Sequence, residues 1–175
     1  MANWIHHSAR LLHHRWAEGR LGQAMPPALI EQLTHAIAAS ELRHTGQVRI
    51  CVEAGLPINY LWRGATARER ALAMFSKLRV WDTEQNNGVL IYLLLADHAI
   101  EIVADRGLAR HVPPETWNAL VSGMGTALHA GHYEDALGQA LAQVSALLEQ
   151  HFAAVPGDLR HNELPDAPFI SGRHP

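Results

Sequence analysis

The oxygen-bearing side chains of this 175-residue chain are densest in one stretch, Trp81-Asp82-Thr83-Glu84-Gln85-Asn86-Asn87-Gly88, with Asp105 a short way beyond it. Carboxylate, amide and carbonyl oxygens in such density suit a hard divalent cation such as Ca2+. The EF-hand pattern does not fit. It wants glycine at loop position six and glutamate at twelve, whereas counting from Asp82 places Gly88 seventh and Leu93 twelfth. Two readings stay open. In one, Asn86-Asn87-Gly88 supplies turn conformations and Asp82 caps backbone amides. In the other, Asp82, Glu84, Asn87 and Asp105 hold Ca2+ or another divalent metal, or a small anionic ligand.

Other chemistry-bearing residues are more isolated. His6 and His7 repeat as His13 and His14, a spacing of two helical turns and ~10 Å of rise, too far for the imidazoles of a pair to share one ion. A solvated helix face is the expectation for them. Cys51 is the single cysteine, with no legible Cys–His pairing, so a packed thiol is expected and no internal disulfide can form. Neither G-x-x-x-x-G-K-[ST] nor G-x-S-x-G occurs, and Gly123-Met124-Gly125 falls inside an apolar helical stripe. No catalytic residue can be named from motifs.

Hydrophobic period defines the elements that must carry these residues. Trp4 to Glu18 reads as a helix with Trp4, Leu11, Leu12 and Trp16 near one side, closed by Gly19 and Gly22. A second helix starts at Pro26-Pro27 and carries Leu29, Leu33 and Ile37. Gln47 to Glu53 alternates, Val48, Ile50 and Val52 against Arg49, Cys51 and Glu53, as a strand with one well-buried face does. Thr66 with Glu69 forms a capping box ahead of a helix bearing Ala71 and Phe75. Val89–Ala96 and Ala99–Asp105 read as an antiparallel hairpin turned at Asp97-His98. Two helical stripes follow, from Pro113-Pro114 to Gly131 and from Tyr133 to Phe152. The continuous apolar run Val89–Ala96 implies a strand covered on both faces, hence a three-layer α/β/α sandwich around a small mixed sheet. Residues 1–24 form an accessory helix, 25–153 the domain, and 154–175 a loosely held tail.

Composition narrows the partners. A formal charge of −3 gives no electrostatic reason to expect nucleic acid. The longest apolar stretch is far too short to span a bilayer, and Met1 to Arg20 lacks the unbroken apolar run of a signal peptide. A cytoplasmic location is expected, with peripheral attachment to a membrane left open.

The segment Asn87-Gly88-Val89-Leu90-Ile91-Tyr92-Leu93-Leu94-Leu95-Ala96, followed by Glu101-Ile102-Val103-Ala104-Asp105-Arg106-Gly107-Leu108, resembles the central signature of TPM domains. Glu41 with Thr45-Gly46, the helix bearing Ala71 and Phe75, and Gly131-His132-Tyr133 agree in order, so the resemblance runs over roughly Leu29 to Phe152. It implies a mixed sheet between helices, and a varied record of roles: acid phosphatase activity, binding of calcium or other divalent metals, and links to membrane-associated proteins. Many members read G-x-G-L-E at the turn, with an aspartate soon after, as the acidic site. Here the matching residues are Asp105-Arg106-Gly107-Leu108-Ala109, and the later aspartate falls on Pro114 or Glu115.

Two functions follow. The depleted carboxylate set favours a non-catalytic or regulatory interaction domain, serving a membrane-associated partner through exposed apolar residues such as Trp4, Trp16 and Trp62. The alternative is a divalent-metal-dependent phosphatase-like hydrolase using Asp105, Asp82 and Glu84 as ligands.

Overall fold

A computed structural model describes residues 2–155, 157 and 161–171, with the side chains of residues 2–9 outside that description. The first three helices are α1 (Ala2–Glu18), α2 (Leu21–Ala24) and α3 (Pro27–Glu41), followed by strand β1 (Val48–Glu53). After α4 (Ile58–Trp62) and α5 (Ala67–Lys77) come strands β2 (Val89–Leu94) and β3 (Ala99–Ala104). Helices α6 (Arg106–Ala109), α7 (Pro114–Gly123), α8 (Gly125–His129) and α9 (Tyr133–His151) lead to a short strand, β4 (Phe169–Ser171). The capping box predicted at α5 forms, with the Thr66 hydroxyl accepting from Glu69 N and the Glu69 carboxylate accepting from Thr66 N.

The sheet has the order β3-β2-β1-β4, with β1 parallel to both β2 and β4 and with β3 antiparallel to β2. Helices cover both faces. Val48, Ile50, Val52, Val89, Ile91 and Leu93 pack towards α3, α7, α8 and α9, whereas Cys51, Leu90, Tyr92 and Leu94 pack towards α4, α5 and Leu11 of α1. The three-layer α/β/α sandwich expected from the sequence is therefore the architecture.

Several local expectations are corrected. The hairpin turn spans Leu95–His98 rather than two residues, because Leu94 pairs with Ala99, and His98 adopts φ +46° to close it. The helix read from Pro113 to Gly131 is divided at Met124 into α7 and α8. Both faces of β1 are buried, not one. Arg49 and Glu53 tolerate this because each meets partners: Arg49 donates to the carbonyls of Pro165 and Ala167, and Arg70 of α5 holds Glu53 through two 2.7 Å bonds. Tyr92 adds a third bond to that carboxylate at 2.8 Å. Described residues beyond 154 supply further partners. Gln47 Oε1 accepts from Glu163 N and Leu164 N, Leu164 enters the core, and β4 pairs with β1.

The accessory helix packs on its own domain. His14, expected on a solvated face, is 1% exposed: its Nδ1 accepts from Leu56 N, which leaves the proton on Nε2, 3.1 Å from Asp97 Oδ1. That contact, with help from Arg10, holds the Asp97 carboxyl below its ordinary range. Leu11, His14 and Ala17 face inward, while Leu12 and Trp16 do not.

Removing one partner of the buried Glu53–Arg70 pair strands a charge. Arg70→Met is expected to cost about 3–5 kcal/mol in denaturant unfolding. The double variant Glu53→Gln/Arg70→Met should recover part of that loss, since an amide needs no counter-charge and still accepts from Tyr92.

Candidate functional site

The acidic loop begins where α5 ends, and Arg79 and Asn86 take positive φ of 56° and 52° to shape it. Asp82 is exposed and ion-paired with Arg79 at 2.5 Å, and its carboxylate caps no backbone amide among the described residues. Glu84 is exposed as well and takes part through its backbone N–H, donated to Glu163 Oε2 at 2.9 Å. The two remaining candidates are drawn inward. Asn87 is fully buried, its amide donating to Thr45 Oγ1 at 3.2 Å and its backbone N–H to Thr83 Oγ1 at 3.1 Å. Asp105 caps α6, its Oδ1 accepting from Arg106 N at 2.7 Å. The Arg106 guanidinium goes instead to Asn86 Oδ1 at 2.9 Å.

Two glycines bring these segments together. A Cβ on Gly88 would stand 2.0 Å from the Val80 carbonyl oxygen, and one on Gly107 would stand 2.4 Å from that of Asn86. No other residue fits either position. The close approach lets Asp105 N bond Gly88 O and Gly107 N bond Asn86 O, both at 2.8 Å. Asn87 Oδ1 and Asp105 Oδ2, on these adjoining segments, are buried acceptors without a hydrogen-bond partner in the structure. Among the described residues no three of His, Cys, Asp and Glu converge as a metal-binding group. The donor set for a cation is thus one carboxylate and one amide. That is too few for a calcium cage, but it fits an ion that keeps several of its waters.

The site lies at the amino ends of β1 and β2, since residues 81–88 enter β2 rather than leave it. The rule that α/β sheets bind ligands beyond the carboxyl ends of their strands therefore does not favour this loop. Beside it a cleft of about 660 Å³ is lined by Glu41, Thr45, Gln47, Glu84, Glu163 and Asp166, among others. Burial raises the Glu41 carboxyl from its ordinary 4.5 to about 7, opposed by a hydrogen bond from Val48 N at 2.8 Å and reinforced by Asp166. Chemical reasoning from sequence missed the Glu163–Asp166 side of this cleft. The signal available was Gln47 and Arg49, polar residues on a strand that needed partners. Cys51 is packed as expected, and burial pushes its thiol far up, away from nucleophilic use.

An open mixed sheet with helices on both faces and a glycine-locked hairpin defines a particular class of α/β sandwich. The chain belongs to the TPM domain family, whose profile matches residues 22–147. Its fold is similar to that of the BA42 protein from the psychrophilic bacterium Bizionia argentinensis, solved by NMR. The two share 22% identity and a TM-score of 0.69, over 82% of this chain and 92% of that one. Among curated proteins, none matches the chain in sequence.

Glu41 supplies a pH test. Its folded-state pKa lies above the unfolded value, so its contribution to stability is full below about pH 4.5 and is lost as pH rises through about 7. Glu41→Gln, which keeps an acceptor for Val48 N, should stabilise the protein relative to wild type at pH 8 by on the order of 3 kcal/mol. The gain should vanish near pH 4, as followed by thermal unfolding across that range.

Proposed function

We propose that this TPM domain is a non-catalytic interaction module that docks a membrane-associated protein through exposed apolar side chains. The observation that carries this reading is a pair of helices packed on each other, α1 and α4, each presenting an i, i+4 apolar pair to solvent. Leu12 and Trp16 are 73% and 66% exposed on α1, and Ile58 and Trp62 are 53% and 59% exposed on α4. Large apolar side chains grouped in this way mark interaction sites more often than ordinary surface. The side chain of Trp4, also named from the sequence, lies outside the described residues. No helix among the described residues is long and apolar enough to cross a membrane; in this reading the contact with a bilayer is made by the partner, and the domain meets it from the cytoplasmic side.

The tagged full chain, incubated with native membrane extract, should retain a defined protein that the double variant Ile58→Glu/Trp62→Glu loses and Asp105→Ala keeps. Retention of no specific protein, or equal retention by the double variant, would sink this reading.

A second reading has its own observation, the orphaned oxygens of Asn87 and Asp105. These residues would hold a divalent ion, and in a phosphatase-like hydrolase such an ion would polarise a phosphoryl oxygen. Calorimetric titration of metal-free protein with Ca2+, Mg2+, Mn2+ and Zn2+ separates the two. The interaction reading expects no saturable heat at the site. Saturable heat abolished by Asp105→Ala, together with release of phosphate from an aryl phosphate, would favour the hydrolase.

A further inference from the structure

The carboxyl end of β2 and the turn that follows it, Leu95, Ala96 and His98, border a second cleft, of about 750 Å³, at the opposite end of the strand from Asn87 and Asp105. This is where α/β sheets place their ligands, and the volume suits a small organic molecule. His13, Arg20, Leu95, His98, His129 and Tyr133 are among the residues that line it. Part of the wall comes from residues 13–20, which precede the segment matched by the family at 22–147. The cleft is thus formed where the N-terminal segment docks against the part of the chain that the family match covers.

Three of its imidazoles are fixed by main-chain carbonyls. His13 Nε2 lies 2.7 Å from Ala96 O, His98 Nδ1 2.9 Å from Leu128 O, and His129 Nδ1 2.8 Å from Gly125 O. A carbonyl only accepts, so each of these nitrogens carries the proton. In the neutral ring the other nitrogen is left as a hydrogen-bond acceptor. His98 stacks with both His129 and Tyr133, at centroid separations of 6.0 and 6.2 Å and interplanar angles of 18° and 15°. Together they form an aromatic wall.

Arg20 provides the charge. Its guanidinium stands 4.8 Å over the Trp16 ring, and no ion pair engages it among the described residues. Arg20 and Tyr133 line the same cleft, where burial pushes the Tyr133 phenol up and the Arg20 charge pulls it down. Glu134 and Asp135 line the same cleft, the first accepting from Gln32 Nε2 at 3.1 Å and the second 3.9 Å from His132 Nδ1. Their negative charge weighs against a dianion such as a phosphate monoester and leaves room for a single negative charge.

We propose that this cleft binds a small aromatic monocarboxylate bearing a hydroxyl or N–H donor. The carboxylate sits on Arg20, the ring lies along the His98–Tyr133 wall, and the donor meets an imidazole nitrogen not engaged by a carbonyl. Trp16 lines this cleft and also belongs to the apolar surface proposed above, but Ile58, Trp62, Asn87 and Asp105, on which the tests of the two earlier readings turn, do not line it, so failure here and failure of either reading are distinguishable.

The experiment titrates the 15N-labelled full chain by NMR with 4-hydroxybenzoate, benzoate, phenyl phosphate, benzyl alcohol and acetate. The expected result is saturable shifts confined to Ala96–His98, His129–Asp135 and the Arg20 region. 4-Hydroxybenzoate should bind most tightly, with acetate and benzyl alcohol at least about tenfold weaker. Arg20→Gln should lose about tenfold for 4-hydroxybenzoate and leave benzyl alcohol unchanged. His98→Phe, which keeps the stack and removes the acceptor, should narrow the preference for 4-hydroxybenzoate over benzoate. Absence of saturable shifts in that region, a preference for phenyl phosphate, or equal binding of all five probes would overturn the proposal. The ranking in the wild-type protein decides the matter even if a variant fails to fold.

Discussion

A guanidinium and a carboxylate buried on one face of a single strand must each find partners, because an unpaired charge in a low-dielectric interior costs far more than any contact nearby returns. β1 sets that requirement for the whole domain. Its inner row, Val48, Ile50 and Val52, packs as an apolar face should, while its other row, Gln47, Arg49, Cys51 and Glu53, is equally buried and largely polar. Each polar member recruits a different part of the chain. Gln47 takes the backbone of residues 163 and 164, Arg49 takes two carbonyls further along, and Glu53 takes Arg70 from α5 together with Tyr92 from β2. The helix that covers the sheet and the segment that covers its edge are thus specified by hydrogen bonds, not by apolar area alone.

The family signature has a similarly mechanical basis. Gly88 and Gly107 are fixed by clearances that admit no side chain, and what they achieve is the lacing of the loop before β2 to the turn after β3. That lacing is indifferent to whether a carboxylate follows. The position of Ala109, where the family resemblance implies an acidic residue, can therefore vary without disturbing the scaffold, because a fold does not by itself dictate the chemistry of a site.

Legibility from sequence followed locality. The α5 capping box and the β2–β3 pairing were readable because their residues are close neighbours in the chain. The length of the hairpin turn was not, since Leu95 and Ala96 continue the apolar run although they leave the ladder. β4 was hidden by its three residues and by the flanking prolines 165 and 168, and its cause sits more than a hundred residues away in Arg49. Of the four candidate ligands, Asn87 and Asp105 stand on the glycine-laced segments and are drawn inward, whereas Asp82 and Glu84 share their composition but face solvent. Nothing local distinguishes the two kinds. His14 misled for the complementary reason: it shares the inward face with Leu11 and Ala17, but only the distant Leu56 and Asp97 make the burial of a polar ring there tolerable.

The pairing of β4 with β1 bears on where this protein can be cut. Similarity to the family ends at residue 147, but a chain shortened to that point would leave β1 with one flank of unpaired backbone amides and carbonyls, and Arg49 with no acceptors. A bare parallel strand edge invites a second chain to complete it. The span matched by the family thus stops short of β4, the strand that pairs with Cys51–Glu53 and covers part of that edge.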